Sequence, residues 1–143
     1  MKIISALFYL GGSLAGGSSF AVSQADDAAI EVVRHKFAAF NQHDVGAIEE
    51  IYSMNATLNS PDYRDLIGNK PIADTYRKLF ESMPDAKDTV ERLESTGKRV
   101  YAQFVLSGHW NGVQDKPIAV RIMAVYTVSD GRIVDDATYY DRK

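Results

Sequence analysis

The spacing of apolar residues changes once along this chain, near Ala86, and that change constrains the fold more than any other feature. Before it, apolar residues recur every three or four positions, as in Ile30, Val33, Phe37 and Phe40, which is typical of an amphipathic helix. After it they recur every two positions, which is typical of strands. Helices followed by consecutive strands indicate an α+β fold in which a sheet packs on the helices.

The pattern predicts three helices and then a run of long strands. The helices are expected at Asp26–Asn41, Val45–Tyr52 and Pro71–Met83. A short strand is expected at Ala56–Asn59, a loop at Pro61–Lys70, and longer strands at about Thr89–Ser95, Arg99–His109, Pro117–Val128 and Arg132–Asp141. Strands of about ten residues span roughly 33 Å, which is too long for the core of a small domain unless the sheet bends. We therefore expect a cone-shaped, curved sheet around the helices, with an apolar pocket inside.

The composition limits the chemistry that this fold can carry. The chain contains no Cys, which excludes thiol nucleophiles, zinc–thiolate sites and iron–sulfur clusters. Its three His residues, His35, His43 and His109, lack the spacing of a metal-binding motif, so we expect no metal and no cofactor. A net charge of −3 without a basic stripe argues against nucleic acid as a partner. Cofactor-free catalysis or plain binding remains.

The first 25 residues read as a secretory signal peptide. Lys2 precedes an apolar run over residues 3–10, and small residues follow it. Cleavage is expected after Ala25, with Ala21 as the alternative, which leaves one domain over residues 26–143. The apolar run is far shorter than the roughly 20 residues that span a bilayer, so no stable membrane insertion is expected after cleavage. The protein is therefore expected to be periplasmic or secreted.

Several short segments of the sequence, taken in their order and spacing, resemble those of a known protein family. They include residues 37–44 (FAAFNQHD), 55–61 (NATLNSP), 68–72 (GNKPI), 126–134 (YTVSDGRIV) and 139–141 (YYD). They resemble the SnoaL-like branch of the nuclear transport factor 2-like superfamily, which also contains ketosteroid isomerases, limonene epoxide hydrolases and polyketide cyclases. The resemblance implies a cystatin-like α+β barrel in which a curved, mixed β-sheet wraps three helices. That fold hosts enzymes and non-enzymes alike.

The catalytic groups of these relatives do not carry over onto this chain. By resemblance, the general base of ketosteroid isomerases falls at Ser60, and their two oxyanion donors fall at Lys36 and Ala124. The His and Asp of the polyketide cyclases fall at Ala124 and Thr138. None of these residues is the group that the relatives use. The familiar form of either chemistry is therefore not expected.

The turn at residues 129–131 decides which carboxylate of the last strand faces the pocket. A two-residue turn puts Asp135 on the pocket side, whereas a three-residue loop with a glycine bulge puts Asp136 there, together with Thr138 and Tyr140. We favour the three-residue loop, because the resemblance also places position 138 in the pocket. Asp136 is then the carboxylate expected to face inward.

An inward carboxylate beside apolar side chains has a raised pKa and can act as a general acid or base. An enzyme built on this chain would use Asp136 as the catalytic group, with Tyr140, Thr138 or His109 as a partner. The alternative is that the acidic pair is solvated or forms a salt bridge with Arg121. His109 also has an alternative, as an exposed residue at a strand end.

A ligand in the cone would contact mainly aromatic and apolar side chains. The candidates are Phe37, Phe40, Tyr52, Asn59, Tyr63, Phe80, Phe104, Trp110, Ile122, Ala124 and Thr138. Lys36 is expected at the edge of its helix with its ammonium in water. The alternative is a desolvated amine that binds an acidic ligand or forms a Schiff base.

Three functions remain open on the sequence. The favoured one is binding of a small, largely apolar molecule in the cone, and the second is a cofactor-independent isomerase, cyclase or hydrolase. The third is a non-catalytic interaction subunit. The outer face of the third long strand bears Met123 and Val125 beside Arg121, which is too apolar to face water, so we expect a homodimer through the sheet.

Overall fold

The computed structural model of the chain describes residues 24–111 and 117–141. Its helices are α1 (Gln24–Asn41), α2 (Val45–Ile51) and α3 (Asn69–Ser82). Its strands are β1 (Tyr52–Asn59), β2 (Leu66–Ile67), β3 (Lys87–Thr96), β4 (Arg99–Gly108), β5 (Ile118–Ser129) and β6 (Arg132–Tyr139). They form one sheet in the order β2-β1-β6-β5-β4-β3, in which β1 and β6 are parallel and the other neighbours antiparallel. The predicted α+β fold with a mixed, curved sheet is confirmed.

The core lies between the three helices and the inner face of the sheet. The helices contribute fully buried side chains at the predicted apolar positions, such as Val33 in α1, Ile48 in α2 and Ile72 in α3. The sheet contributes buried residues at alternate positions, as the sequence pattern of β5 predicts, with Ala124 and Tyr126 as examples. Burial of these apolar side chains is the main favourable term in folding.

Strand β2 was not expected from the sequence. It lies inside the predicted loop 61–70 and pairs with β1 through Thr57 and Ile67. Two residues are too few to show the alternation by which a strand is recognised in a sequence. The strand is defined instead by its pairing with the edge of β1. Strand β1 is also longer than predicted and begins directly at the end of α2.

The hairpin between β5 and β6 has a different turn from the one favoured by the sequence, but Asp136 still faces inward as predicted. The turn has two residues, Asp130 and Gly131, both with positive φ (50° and 73°), so the predicted three-residue loop is wrong. The extra residue is Val134 instead, because Val128 pairs with Ile133 while Thr127 pairs with residue 135. A bulge at this position exchanges the inner and outer faces for the later residues of β6. The predicted three-residue loop would have had the same effect.

None of the helices within residues 24–111 and 117–141 combines the length and apolar composition needed to cross a membrane. The apolar run of the predicted signal peptide lies outside the described residues.

Candidate functional site

Three charged side chains of the described residues are buried inside the cone. They are Lys36 of α1, Asp88 of β3 and Asp136 of β6, with exposed fractions of 2%, 3% and 1%. Removing a charge from water costs several kcal/mol unless partners compensate it, and such groups concentrate at functional sites. These three residues, called the charged cluster below, form the centre of the candidate site.

The ammonium of Lys36 lies inside a box of aromatic rings. The distances from Nζ to the ring centres are 4.5 Å for Phe37, 5.3 Å for Tyr76, 5.4 Å for Phe40, 5.5 Å for Phe104 and 5.7 Å for Tyr126. Ring faces attract a cation, so they compensate part of the desolvation. The expectation that Lys36 keeps its ammonium in water is wrong. Its position at the edge of the helical stripe becomes internal because the sheet wraps around α1.

Asp88 supplies the nearest counter-charge, with Oδ2 3.8 Å from Nζ of Lys36. Asn41, at the end of α1, fixes this position. Its amide nitrogen donates to the carbonyl of Asp88 at 2.9 Å, and its amide oxygen accepts from the backbone N–H of Asp88 at 2.8 Å. This two-point clamp ties β3 to the helix that carries Lys36.

The sequence did not identify Asp88 as a site residue, because the strand was predicted to begin only at Thr89 and a bulge disturbs its alternation. Val90 pairs with Phe104 and Leu93 with Ala102, so Glu91 lies at a register shift. Residues on the inner face therefore change from even to odd numbers along β3. The alternation of this strand could not be recognised without its partner strand.

Asp136 is the acceptor of a buried hydroxyl network. Its Oδ2 accepts a hydrogen bond of 2.6 Å from Tyr52, and its Oδ1 accepts one of 2.7 Å from Thr138. The hydroxyls of Tyr52 and Tyr76 are 3.1 Å apart. Because Tyr52 uses its single proton toward Asp136, Tyr76 must be the donor in the second bond. The network thus runs from Tyr76 through Tyr52 to the carboxylate.

The environment shifts the pKa of each member of the charged cluster. Burial raises the pKa of Asp88 to about 6, against the opposing effect of the Lys36 ammonium. Burial also raises the pKa of Asp136, while Lys36 and the hydrogen bonds from Tyr52 and Thr138 oppose this. For Lys36, burial lowers the pKa, but the oxygens of Tyr126, Tyr76, Asp88 and Asp136 together raise it well above its usual value. The amine is therefore a cation and not a free nucleophile.

The tyrosines around the cluster remain neutral phenols. Burial, the largest cause, raises the pKa values of Tyr52, Tyr76 and Tyr126. A neutral phenol donates a hydrogen bond and can stabilise negative charge on an oxygen atom. The inside of the cone therefore holds carboxylates that can take a proton and groups that can donate one.

An open depression of about 510 Å³ lies on the outside of the sheet. It lies where β6 ends, because Tyr139 is the last residue of β6 that pairs with β5 and residues 118–122 of β5 continue beyond it. Its walls are Pro61, Glu91, Gln103, Phe104, Arg121, Ile122, Met123, Tyr139, Tyr140 and Asp141. Phe104 belongs both to this depression and to the ring box around Lys36.

A family model for the SnoaL-like domain matches residues 33–136, which cover most of the chain and include all three members of the charged cluster. The chain belongs to the SnoaL-like domain family. The resemblance inferred from the sequence is confirmed. No curated protein gives a significant sequence match to this SnoaL-like chain.

Solved structures share the fold at low sequence identity. A SnoaL-like polyketide cyclase, so described, from Jannaschia sp. CCS1 has 19% identity and a TM-score of 0.75, covering 83% of this chain and 89% of its own. An LEH-like epoxide hydrolase from M. tuberculosis has 16% identity and a TM-score of 0.70, covering 81% and 84%.

A third match is a protein of ketosteroid isomerase-like fold from Catenulispora acidiphila, solved with trimethylamine, with 20% identity, a TM-score of 0.72 and coverage of 78% and 85%. At these identities the three likenesses concern the fold. The SnoaL-like family includes cofactor-independent isomerases, cyclases and epoxide hydrolases.

Most of the predicted lining residues surround the cluster in this SnoaL-like cone. Phe37, Phe40 and Phe104 form the ring box, and Phe40 also packs edge-on against Phe80, with ring centres 5.0 Å apart. Tyr52 and Thr138 bond to Asp136, and Ala124 pairs with Thr138 across the two strands. Ile122 lies in the wall of the outer depression.

Other predicted site residues lie away from the charged cluster. His109 forms a 2.6 Å contact with Asp85, and about half of each side chain is exposed, so His109 is no partner of Asp136. Trp110 and Tyr63 are also exposed, by 39% and 38%. Asn59 is exposed and accepts a hydrogen bond from the backbone of Asp65, which is a loop-stabilising contact.

Two further expectations concern the rim of the cone. Tyr140 donates to Asp62, which ties the end of β6 to the loop after β1 beside the outer depression. The alternative salt bridge from Arg121 to the acidic pair is wrong, because Arg121 is exposed and bonds to Glu91 at 3.1 Å. Within residues 24–111 and 117–141, no three acidic or His side chains approach closely enough to hold a metal ion.

Proposed function

We propose that this SnoaL-like chain binds a small, largely apolar molecule in its cone and acts on it by general acid–base catalysis, with Asp136 as the catalytic group. The observation that carries the proposal is the placement of Asp136, which is 1% exposed and hydrogen-bonded to two hydroxyls inside the cone. The reaction class is a cofactor-independent isomerisation, cyclisation or hydrolysis. The family and the fold of the epoxide hydrolase and cyclase structures support this class.

The chemistry follows from the environment of the carboxylate. Burial raises the pKa of Asp136 above that of an ordinary Asp, which makes it a stronger base that can accept a proton and return it. Tyr52 and Thr138 fix its orientation. The neutral phenols and the Lys36 ammonium provide positive charge toward an oxygen atom of the ligand as negative charge develops there.

Export and dimerisation belong to the same proposal. The apolar leader over residues 3–10 favours a periplasmic or secreted protein. The outer face of the sheet, with Tyr101 and Tyr139 exposed by 36% and 62%, favours a homodimer through β4, β5 and β6. Native mass spectrometry of the protein purified from its own compartment reports the cleaved mass, the number of chains and any retained small molecule in one measurement.

The catalytic role is tested with a simple carbon acid. In 5-nitrobenzisoxazole a base removes the C–H proton as the N–O bond breaks, which gives a coloured cyanophenolate. We expect wild-type protein to catalyse this elimination and Asp136→Asn to lose at least tenfold in kcat/KM. Asp135→Asn is the matched control, because the neighbouring Asp135 bonds to Thr57 instead of entering the cluster. Equal rates for wild type and Asp136→Asn would refute the catalytic role.

A further inference from the structure

One ammonium serves two buried carboxylates in the charged cluster. Asp88 is on β3 and Asp136 is on β6, and strands β4 and β5 lie between them in the sheet. The Nζ atom of Lys36 lies over these middle strands, 5.5 Å from the ring centre of Phe104 in β4 and 5.7 Å from that of Tyr126 in β5. The ammonium interacts electrostatically with both carboxylates. A single cation in this place can form a close ion pair with only one of them.

The ammonium pairs with Asp88. Oδ2 of Asp88 is 3.8 Å from Nζ, and the described residues include no ion pair between Lys36 and Asp136. Asn41 keeps the Asp88 backbone in place through its two hydrogen bonds. The Lys36 ammonium is the group that opposes the effect of burial on the Asp88 carboxylate. The buried carboxylate of Asp88 therefore keeps the cation near β3.

Hydroxyl groups compensate Asp136 instead. Tyr52 donates to Oδ2 at 2.6 Å and Thr138 donates to Oδ1 at 2.7 Å, so each oxygen of the carboxylate receives one neutral donor. A carboxylate in a close ion pair is a weaker base than one held by neutral donors, because the cation stabilises the charged form more strongly. This division of partners preserves the basicity of the group that the proposed function uses.

We propose that Asp88 is a positioning residue for general base catalysis, which holds the ammonium of Lys36 on the β3 side of the cone so that Asp136 stays free of a direct ion pair. The inference rests on the proposed function, because it assigns the proton transfer to Asp136. Asp88 acts through Lys36 and needs no contact with the ligand. The groups that contact or act electrostatically on the charged cluster are Asn41 of α1, Tyr52 of β1, Tyr76 of α3, Tyr126 of β5, and Asp135 and Thr138 of β6. The tyrosines stay neutral, so titration in this site belongs to the two carboxyl groups.

The test measures, in the same variants, the pKa of Asp136 by NMR titration and the kcat and KM for elimination of 5-nitrobenzisoxazole. Asp88→Asn removes the carboxylate that holds the ammonium and keeps the shape of the side chain. Lys36 then has Asp136 as its remaining carboxylate, so the pKa of Asp136 falls and kcat at pH 8 falls by about threefold or more, while KM stays unchanged. Asp85→Asn is the matched control, since it removes an exposed carboxylate that pairs with His109 outside the charged cluster.

Dependence on pH separates this role from a purely structural one. The pKa of Asp88 is about 6, so at pH 5 most wild-type molecules carry a neutral Asp88 and resemble Asp88→Asn. We therefore expect the ratio of the kcat values of wild type and Asp88→Asn to shrink as pH falls from 8 to 5. A ratio that is equal at both pH values overturns the positioning role.

A double variant shows whether Asp88 acts through Lys36. In Lys36→Met there is no ammonium to be shared, so adding Asp88→Asn is expected to change kcat by less than about twofold. If the added substitution costs as much as it does in the wild-type background, Asp88 acts on Asp136 in another way and the inference is wrong.

Asn41→Ala is the variant that leaves both charges in place. It releases the Asp88 backbone, so the ion pair loosens and the pKa of Asp136 falls in the same direction as in Asp88→Asn. Circular dichroism and thermal unfolding establish whether each variant is folded. If a charge variant does not fold, Asn41→Ala decides the role of Asp88, and an unchanged pKa of Asp136 overturns that role.

The outcomes distinguish this inference from the proposed function. If the elimination depends on Asp136 but the pKa of Asp136 is the same in wild type and Asp88→Asn, the inference is overturned and the proposed function stands. If wild-type protein does not catalyse the elimination, the proposed function and this inference fail together.

Discussion

The hydroxyl of Tyr52 donates a hydrogen bond of 2.6 Å to Oδ2 of Asp136. It joins the first residue of β1 to the neighbouring parallel strand β6, at the point where α2 passes into the sheet. Both residues are about 1% exposed, so water does not replace the contact. The bond therefore acts on the stability of the fold and on the protonation of the candidate catalytic group at the same time.

Replacing Tyr52 by Phe separates these two effects. Loss of a buried hydrogen bond to a charged group costs about 1–3 kcal/mol in the free energy of unfolding. The pKa of Asp136 rises further, because the hydroxyl that favours its charged form is removed. Urea unfolding measures the loss of stability, and NMR titration of the carboxyl group measures the pKa of Asp136. Tyr63→Phe, at an exposed loop position, serves as the control. An unchanged Asp136 pKa in Tyr52→Phe would contradict the assigned bond.

Asp88 makes stability depend on pH. Its pKa is about 6 in the folded protein and 3.8 for an ordinary Asp, so between these values the folded state holds a proton that the unfolded chain has released. The free energy of unfolding therefore falls as pH rises from about 4 to about 6, by up to about 3 kcal/mol from this group. Asp136, whose pKa is also raised, acts in the same direction.

Chemical denaturation across this pH range checks the assignment. Asp88→Asn removes one of the two titrating groups, so its stability changes less between pH 4 and pH 6 than that of wild type. Asp85→Asn tests an exposed carboxylate that pairs with His109 outside the cluster. If wild type and Asp88→Asn give parallel curves, Asp88 does not titrate in this window.

Lys36→Met has a cost that grows with pH. Without the ammonium, Asp88 and Asp136 ionise in a buried site with no opposite charge, which costs about 3–5 kcal/mol for a broken buried ion pair. Below the raised pKa values of the two carboxyls both are neutral and the cost shrinks. We expect the difference in unfolding free energy between wild type and variant to be larger at pH 8 than at pH 5. A difference independent of pH would mean that the ammonium does not interact with these carboxylates.

Asn41→Ala tests the clamp on Asp88. Two hydrogen bonds to the backbone of Asp88 are lost, at about 1 kcal/mol each. The amide of Asp88 then exchanges its hydrogen faster, since the side chain that accepts from it is gone. Gln42→Ala, at the exposed neighbouring position, should change neither quantity. Hydrogen exchange by mass spectrometry resolves the two variants.

Local patterns were sufficient to predict the helices and the long strands, whereas the inward facing of Asp136 was predicted with the help of the family resemblance. The apolar spacing of α1 follows from contacts within a few residues, and so does the alternation in β5. The favoured position of the extra residue in the hairpin was wrong, yet one inserted residue anywhere between Val128 and Asp135 has the same effect on Asp136. The face on which Asp136 lies depends on whether one extra residue is present in the hairpin, and not on where that residue is inserted.

The ion pair at the centre of the site could not be predicted in the same way. Lys36 looks like a surface residue on its own helix, because nothing nearby in sequence shows that the sheet covers it. Asp88 lies just before the strand predicted from Thr89, and the bulge at Glu91 hides the alternation of that strand. Their burial follows from long-range packing and from Asn41, and no single segment carries that information.

Strand β6 follows every other described strand in the sequence, yet it lies between β1 and β5 in the sheet. A nascent chain that has not reached residues 132–139 therefore has an open edge on both of those strands, and open edges invite aggregation. It also holds Lys36 and Asp88 with no Asp136 to complete the cluster. Closing of the sheet and completion of the charged cluster therefore both depend on the last strand of the chain.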